Sequence, residues 1–138
     1  MRPLLILLAE DNRGDVLLVR DSLREHRIEH ELHVVRDGQQ ALDYVGRLGE
    51  PHEVPYPDII LLDLNLPKVD GAAILSELRQ HPESAHVPVI VVTSSDSPKD
   101  KERMTQLGIS YYFRKPTEYE EYMQLGGIVK QVLARRAE

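Results

Sequence analysis

Residues 59–62 read Ile-Ile-Leu-Leu, and the next residue is Asp63. A strand that alternates apolar and polar side chains can leave one face in water. A strand that is apolar at every position needs cover on both faces, as in a parallel sheet layered between helices. Residues 4–8 have the same unbroken character, and residues 87–92 repeat it with Pro88 near the start. Shorter strands are predicted at 32–35 and 109–113. Helical spacing fills the gaps. Val16, Val19 and Leu23 share one side of 15–25, and Ala41, Leu42 and Val45 one side of 38–48. Asp70-Gly71 opens a helix carrying Ile74, Leu75 and Leu78, and Gly108 ends another over 98–107. Thr117-Glu118-Tyr119-Glu120 has capping-box spacing and is predicted to begin the last helix. Five strands alternating with five helices make a doubly wound α/β sheet. Residues 46–57, with three prolines and two glycines, form the only long predicted connection.

A chain of 138 residues fits one domain, 1–138, with a real core. That core must be aliphatic, because there is no tryptophan and one phenylalanine. The absence of cysteine excludes disulfides, thiolate metal sites and cysteine nucleophiles, and is compatible with a cytoplasmic location. A net charge of −6 argues against a general nucleic-acid binder. No stretch reaches membrane-spanning length. The apolar start is too short for a signal peptide and runs at once into Glu10-Asp11.

In doubly wound sheets function gathers beyond the carboxyl ends of the strands. Here those ends carry Glu10-Asp11, Asp63, Thr93-Ser94-Ser95 and Lys115-Pro116. Three carboxylates held together repel one another unless a cation intervenes. Magnesium is the natural candidate, being hard and oxygen-seeking. Asp11 and Asp63 are placed to ligate it directly, Glu10 through water, and Asn65 through its backbone carbonyl. A carboxylate can also attack phosphorus and form an aspartyl phosphate. Magnesium, Lys115 and the Thr93 hydroxyl would then each neutralise one phosphoryl oxygen.

These residues together resemble a response-regulator receiver domain. The match consists of Glu10-Asp11, Asp63 followed by Leu66-Pro67 and Asp70-Gly71, Thr93, and Lys115-Pro116, in order over nearly the whole chain. The resemblance implies a flavodoxin-like sheet of order 2-1-3-4-5 and a stand-alone receiver without an output domain. Such a protein is a signalling switch, not an enzyme beyond its own phosphorylation and dephosphorylation. It implies that Asp63 is the phosphoacceptor, served by a sensor histidine kinase and Mg2+, with Glu10 and Asp11 in the metal site. Lys115 is the phosphate lysine, Thr93 the switch hydroxyl and Tyr112 the switch aromatic. Asn65 and Ser95 occupy positions that influence phosphoryl lifetime, and Pro116 is a candidate for a cis peptide. Asp-Leu-Asn-Leu-Pro and the long loop before the third strand resemble the regulators paired with bacterial phytochromes. Receivers of this kind imply a homodimer through the fourth helix, fifth strand and fifth helix, with no nucleic-acid or membrane partner.

Other readings compete at single positions. Arg13-Gly14-Asp15 spells an adhesion tripeptide, but Asp15 at a helix start suits the helix dipole. His26, His30 and His33 lack H-E-x-x-H spacing and are expected near a helix end. In the last helix Tyr119, Tyr122, Met123, Leu125, Ile128, Val129, Val132 and Leu133 exceed one stripe, which means a wide core face or a dimer. Gly126-Gly127 marks a kink or close packing. A haloacid-dehalogenase-like phosphatase would need an acid where Asn65 stands. A pseudo-receiver would have lost an acidic-site residue, and none is missing here.

Overall fold

The computed structural model describes residues 3–48, 56–82 and 84–137. Its elements are β1 (Leu4–Ala9), α1 (Arg13–Glu25), β2 (His30–Val35), α2 (Gly38–Gly46), β3 (Ile59–Leu62), α3 (Gly71–Gln80), β4 (Val89–Thr93), α4 (Pro98–Gln106), β5 (Tyr111–Arg114), α5 (Tyr119–Tyr122) and α6 (Leu125–Ala137). The five strands form one parallel sheet in the order β2-β1-β3-β4-β5, as the resemblance implies. Residues 49–55, most of the long predicted connection, lie outside the described residues.

The unbroken apolar runs are explained by two cores, one on each face. Leu7, Ala9, Ile60, Leu62, Val89 and Val91 point toward α2, α3 and α4, where they meet Ala41, Val45, Leu75, Leu78 and Met104. The alternate residues Ile6, Leu8, Ile59, Leu61, Ile90 and Val92 pack under α1, α5 and α6, against Val19, Leu23, Tyr122, Val129 and Val132. Every position of β3 is therefore buried, which its composition requires. Register then places the chemistry. Ala9 pairs with Leu62, and Leu62 with Val91, so Glu10 and Asp63 leave the sheet side by side. The Asp63 amide donates to the Ala9 carbonyl at 3.0 Å and continues the ladder to the acid itself. Side-chain caps fix the starts of α1, α2, α3 and α4: Asn12, Asp37, Asp70 and Ser97 each accept an amide from the first turn.

Several predicted boundaries shift for physical reasons. β4 starts at Val89 because Pro88 has no amide hydrogen to give the ladder. β2 begins at His30, so His30 and His33 lie on a strand, not at a helix end. The predicted capping box does not form. Glu118 is the N-cap, with no side-chain cap bond, because the first turn begins at Tyr119 and Glu120 falls too early to reach back. The last helix is also broken into α5 and α6. The Met123 carbonyl accepts from Ser22 Oγ and His26 Nε2, both at 2.8 Å, and Ser22 Oγ accepts from the Gly126 amide at 2.7 Å. Groups on α1 thus serve the backbone on both sides of the break. Gly126 is needed for this approach: a Cβ there would lie 2.5 Å from the Ser22 carbonyl oxygen and from His26 Cδ2. The apolar surplus of the last helix is mostly consumed by the core, and Tyr119 is the residue left well exposed.

Gly126→Ala is expected to destabilise the protein by about 1–3 kcal/mol through overpacking. Gly46→Ala, at a helical position where a Cβ would meet no atom of the described residues within 4 Å, is expected to stabilise it by about 0.4–1 kcal/mol. Denaturant unfolding of the two variants checks the contrast, and a tolerated alanine at 126 would remove the close packing of α1 on α6.

Candidate functional site

The carboxyl edge of the sheet brings together most of the residues singled out in the sequence. Glu10 and Asp63 are only 1% and 5% exposed, Thr93 is fully buried, and Asp11 is exposed. Carboxylate oxygens of Glu10, Asp11 and Asp63 all lie within 4.8 Å of one another. Lys115 enters from the end of β5. Its amide donates to the Thr93 carbonyl at 2.7 Å, and its ammonium meets Glu10 Oε1 at 2.7 Å, Asp15 Oδ2 at 2.9 Å and Asp63 Oδ2 at 3.0 Å. It does so with a trans Lys115–Pro116 peptide, which corrects the expectation of a cis bond at Pro116. Trans is the favoured isomer even before proline, and the lysine reaches all three acids without the other.

Asp63 is held at both oxygens. Oδ2 faces the ammonium and Oδ1 accepts the Asn65 amide at 3.1 Å. That amide bond also fixes the turn that carries the Asn65 carbonyl. The Asn65 side chain leans to Thr93 Oγ1 at 3.4 Å, and the Ser95 amide reaches the same hydroxyl at 3.3 Å. Ser95 Oγ does not turn to Asp63; it donates to Asp100 Oδ2 at 2.6 Å. Tyr112 is half-buried, and its hydroxyl donates to the Ser95 carbonyl at 2.9 Å. The loop after β4 is thus tied to Thr93 on one side and to Tyr112 on the other. Gly71 lets α3 press against the turn after Asp63, since a Cβ there would lie 2.9 Å from Leu64 Cα.

Asp15 and Tyr122 complete the site, and sequence reasoning missed both. In the sequence Asp15 has the position of a helix-dipole residue and Tyr122 that of an apolar-face residue. In the fold, the Tyr122 hydroxyl donates to Asp15 Oδ1 at 3.2 Å. These contacts join residues 100 and 107 positions apart, so no local pattern announces them. The three histidines are not gathered into a site. His26 serves Met123, His30 Nδ1 meets the Ile28 carbonyl, and His33 Nε2 meets Glu31.

Three carboxylates meet one ammonium, and Asp11 lies beside two of them. Burial is the largest influence on Glu10 and, with the charge of Asp63, raises its pKa to about 7 against the pull of Lys115. Burial alone would lower the Lys115 pKa. Hydrogen bonds to Glu10 and Asp15 and the charge of Asp63 outweigh it and hold the lysine cationic, above its ordinary range. Burial, then Asp15, raises the Tyr122 phenol and keeps it a neutral donor. Glu10 Oε1 has the ammonium beside it and no other hydrogen-bond donor. An under-served buried oxygen, hard ligands only and excess negative charge fit a small divalent cation.

The sequence profile of the response regulator receiver domain matches residues 6–125. The response regulator Rcp1 of Synechocystis sp. is 37% identical over 123 residues, covering 89% of this chain and 84% of that protein. The phosphorylated cyanobacterial phytochrome response regulator RcpA superposes with a TM-score of 0.87 at 34% identity, over 97% of this chain and 96% of that one. The Mn2+-bound form of Rcp1 superposes with a TM-score of 0.84 at 37% identity, over 95% of each chain.

The Glu10 shift has a stability consequence. Its pKa in the fold lies above the unfolded value, so the folded state binds the proton more tightly. Without divalent ions, the Glu10 contribution to stability should rise as pH falls from about 7.5 to about 5. Asp37, whose pKa is lowered mainly by the Gln40 amide, loses its contribution only at more acid pH. Glu10→Gln should flatten the pH dependence of thermal unfolding in this window. An unchanged slope would mean that Glu10 is not desolvated.

Proposed function

The chain belongs to the response regulator receiver family, and on that premise we propose that it is a phosphorylation-controlled switch whose acceptor is Asp63. The observation that carries the reading is Asp63 itself, a buried carboxylate with one oxygen on the Lys115 ammonium and the other on the Asn65 amide, beside Glu10 and Asp11. The donor is the phosphohistidine of a sensor histidine kinase. An Asp63 oxygen forms a bond to phosphorus as the phosphorus–nitrogen bond breaks, and the imidazole leaves with that electron pair. The residues needed are already in place, so positioning and charge supply most of the catalysis.

Lys115, fixed as a cation, neutralises one phosphoryl oxygen. The Thr93 hydroxyl, now shared with Asn65 and Ser95, turns toward another. Glu10, Asp11 and Asp63, with the Asn65 carbonyl, are the residues that would hold Mg2+. The ion's chemistry is to offset charge on the transferring group. The hard donor set and the under-served Glu10 oxygen support magnesium, and the relative Rcp1 has a Mn2+-bound form.

The switch follows from the same bonds. When Thr93 turns, the Ser95 amide loses its acceptor and the loop after β4 moves. Tyr112 holds that loop through the Ser95 carbonyl, so its packing changes with it. The output is the face of α4, β5 and α6, which binds a second copy or a partner. β5 is an edge strand there, and Tyr111 on it is 41% exposed. Asn65 and Ser95, at either side of Thr93, set the phosphoryl lifetime. Similarity to Rcp1 and to the phytochrome regulator RcpA favours a bacteriophytochrome-type kinase in the cytoplasm. No described helix is long and apolar enough to cross a membrane.

Intact-protein mass after treatment with a small acyl phosphate tests the reading. A single phosphoryl adduct should form with Mg2+, fail in chelator and be absent in Asp63→Asn. An adduct that persists in Asp63→Asn would place the acceptor elsewhere, and no adduct in the parent chain would remove the proposed chemistry.

A further inference from the structure

An ammonium has three hydrogens to give. Lys115 donates to Asp15 and Asp63 at 2.9 and 3.0 Å and forms an ion pair with Glu10 Oε1 at 2.7 Å. Two of these partners belong to the group able to hold a cation, and Asp15 does not. Under the function proposed above, both of those partners change during the cycle. Glu10 and Asp63 would share their charge with a bound cation. Asp63 then becomes an acyl phosphate, and its former hydrogen bond passes to a phosphoryl oxygen. Asp15 is the one acceptor that neither binds the metal nor takes the phosphoryl group.

Asp15 is also held from two sides. Its amide donates to Asn12 Oδ1 at 3.0 Å in the first turn of α1. Its Oδ1 accepts the Tyr122 hydroxyl at 3.2 Å, which leaves Oδ2 for the lysine. Tyr122 is 1% exposed and packs edge-on against Phe113, with ring centroids 5.8 Å apart. A ring confined in this way cannot carry its hydroxyl elsewhere. A phenylalanine would fill the same volume, so what the hydroxyl adds here is the hydrogen bond to Asp15.

We infer that Asp15 is a positioning residue that keeps Lys115 aimed at Asp63 while the other two partners of the ammonium change, and that the buried Tyr122 hydroxyl holds Asp15 in the required orientation. The inference rests on the receiver reading for its consequence, but the geometry of the lysine can be tested without it. Asp15 touches neither the metal group nor the acceptor and acts through Lys115.

The test uses Asp15→Asn, which keeps shape and removes charge, and Tyr122→Phe, which removes only the hydroxyl. Both are checked for folding by circular dichroism. In Mg2+ buffer, reductive methylation of Lys115, followed by peptide mass, should accelerate about tenfold in Asp15→Asn, as an amine does when an opposite charge leaves. Tyr122→Phe should show a smaller rise. Phosphorylation by acetyl phosphate should slow by about 10- to 100-fold in Asp15→Asn, the cost of a misaimed group, while magnesium affinity is unchanged. In a Lys115→Met background, Asp15→Asn should have no further effect, since the two act as one unit. Unchanged Lys115 reactivity in both variants would overturn the inference. So would an equal loss of rate with Lys115 absent. If the parent chain accepts no phosphoryl group, the proposed function fails, and the methylation arm still decides whether Asp15 holds the lysine.

Discussion

One ammonium holds the acidic edge of this sheet together. The register of β1, β3 and β4 forces Glu10 and Asp63 out side by side, and the buried strands behind them leave little water for their charge. Without a cation, that arrangement would be strongly unfavourable. Lys115 answers it from the neighbouring strand, anchored by its amide on Thr93 and by its ammonium on three carboxylates. The compensation is incomplete, because three carboxylates face one ammonium, and burial, with the charge of Asp63, holds the Glu10 pKa up. That residual negative charge suits the edge to a divalent ion.

Much of this was legible in the sequence because it follows from strand ends. Apolar runs without alternation require cover on both faces, and each run ends on a residue of the site. Glu10, Asp11, Asp63, Thr93 and Lys115 can therefore be placed at one edge from the sequence alone. Asp15 and Tyr122 cannot. Their meeting depends on how α1 packs against the turn of helix at α5, and either residue alone has an ordinary local explanation. The break between α5 and α6 was hidden for a similar reason. Gly126-Gly127 marked a kink or close packing, but the cause is Ser22 and His26 taking the Met123 carbonyl, contacts between residues 101 and 97 positions apart. The peptide before Pro116 was assigned from resemblance alone, and it is trans.

The wiring beyond the acids is sparse, which makes it informative. Thr93, Ser95 and Tyr112 are joined in series by the Ser95 amide and carbonyl. The bonds that lead from the Thr93 hydroxyl to the edge strand run through one short loop. The second route, from Lys115 through Asp15 to Tyr122, runs to the opposite face of the sheet.

The unfolding free energy of Lys115→Met, measured against pH with and without Mg2+, tests the central claim most directly. Near pH 8 without metal the variant should lose about 3–5 kcal/mol, the cost of leaving buried charge unpaired. A large part of that loss should return on acidification to about pH 5.5, where Glu10 takes up a proton, or on adding Mg2+ at the higher pH. A variant as stable as the parent chain under all these conditions would contradict the account, because the carboxylates would then need no cation at all.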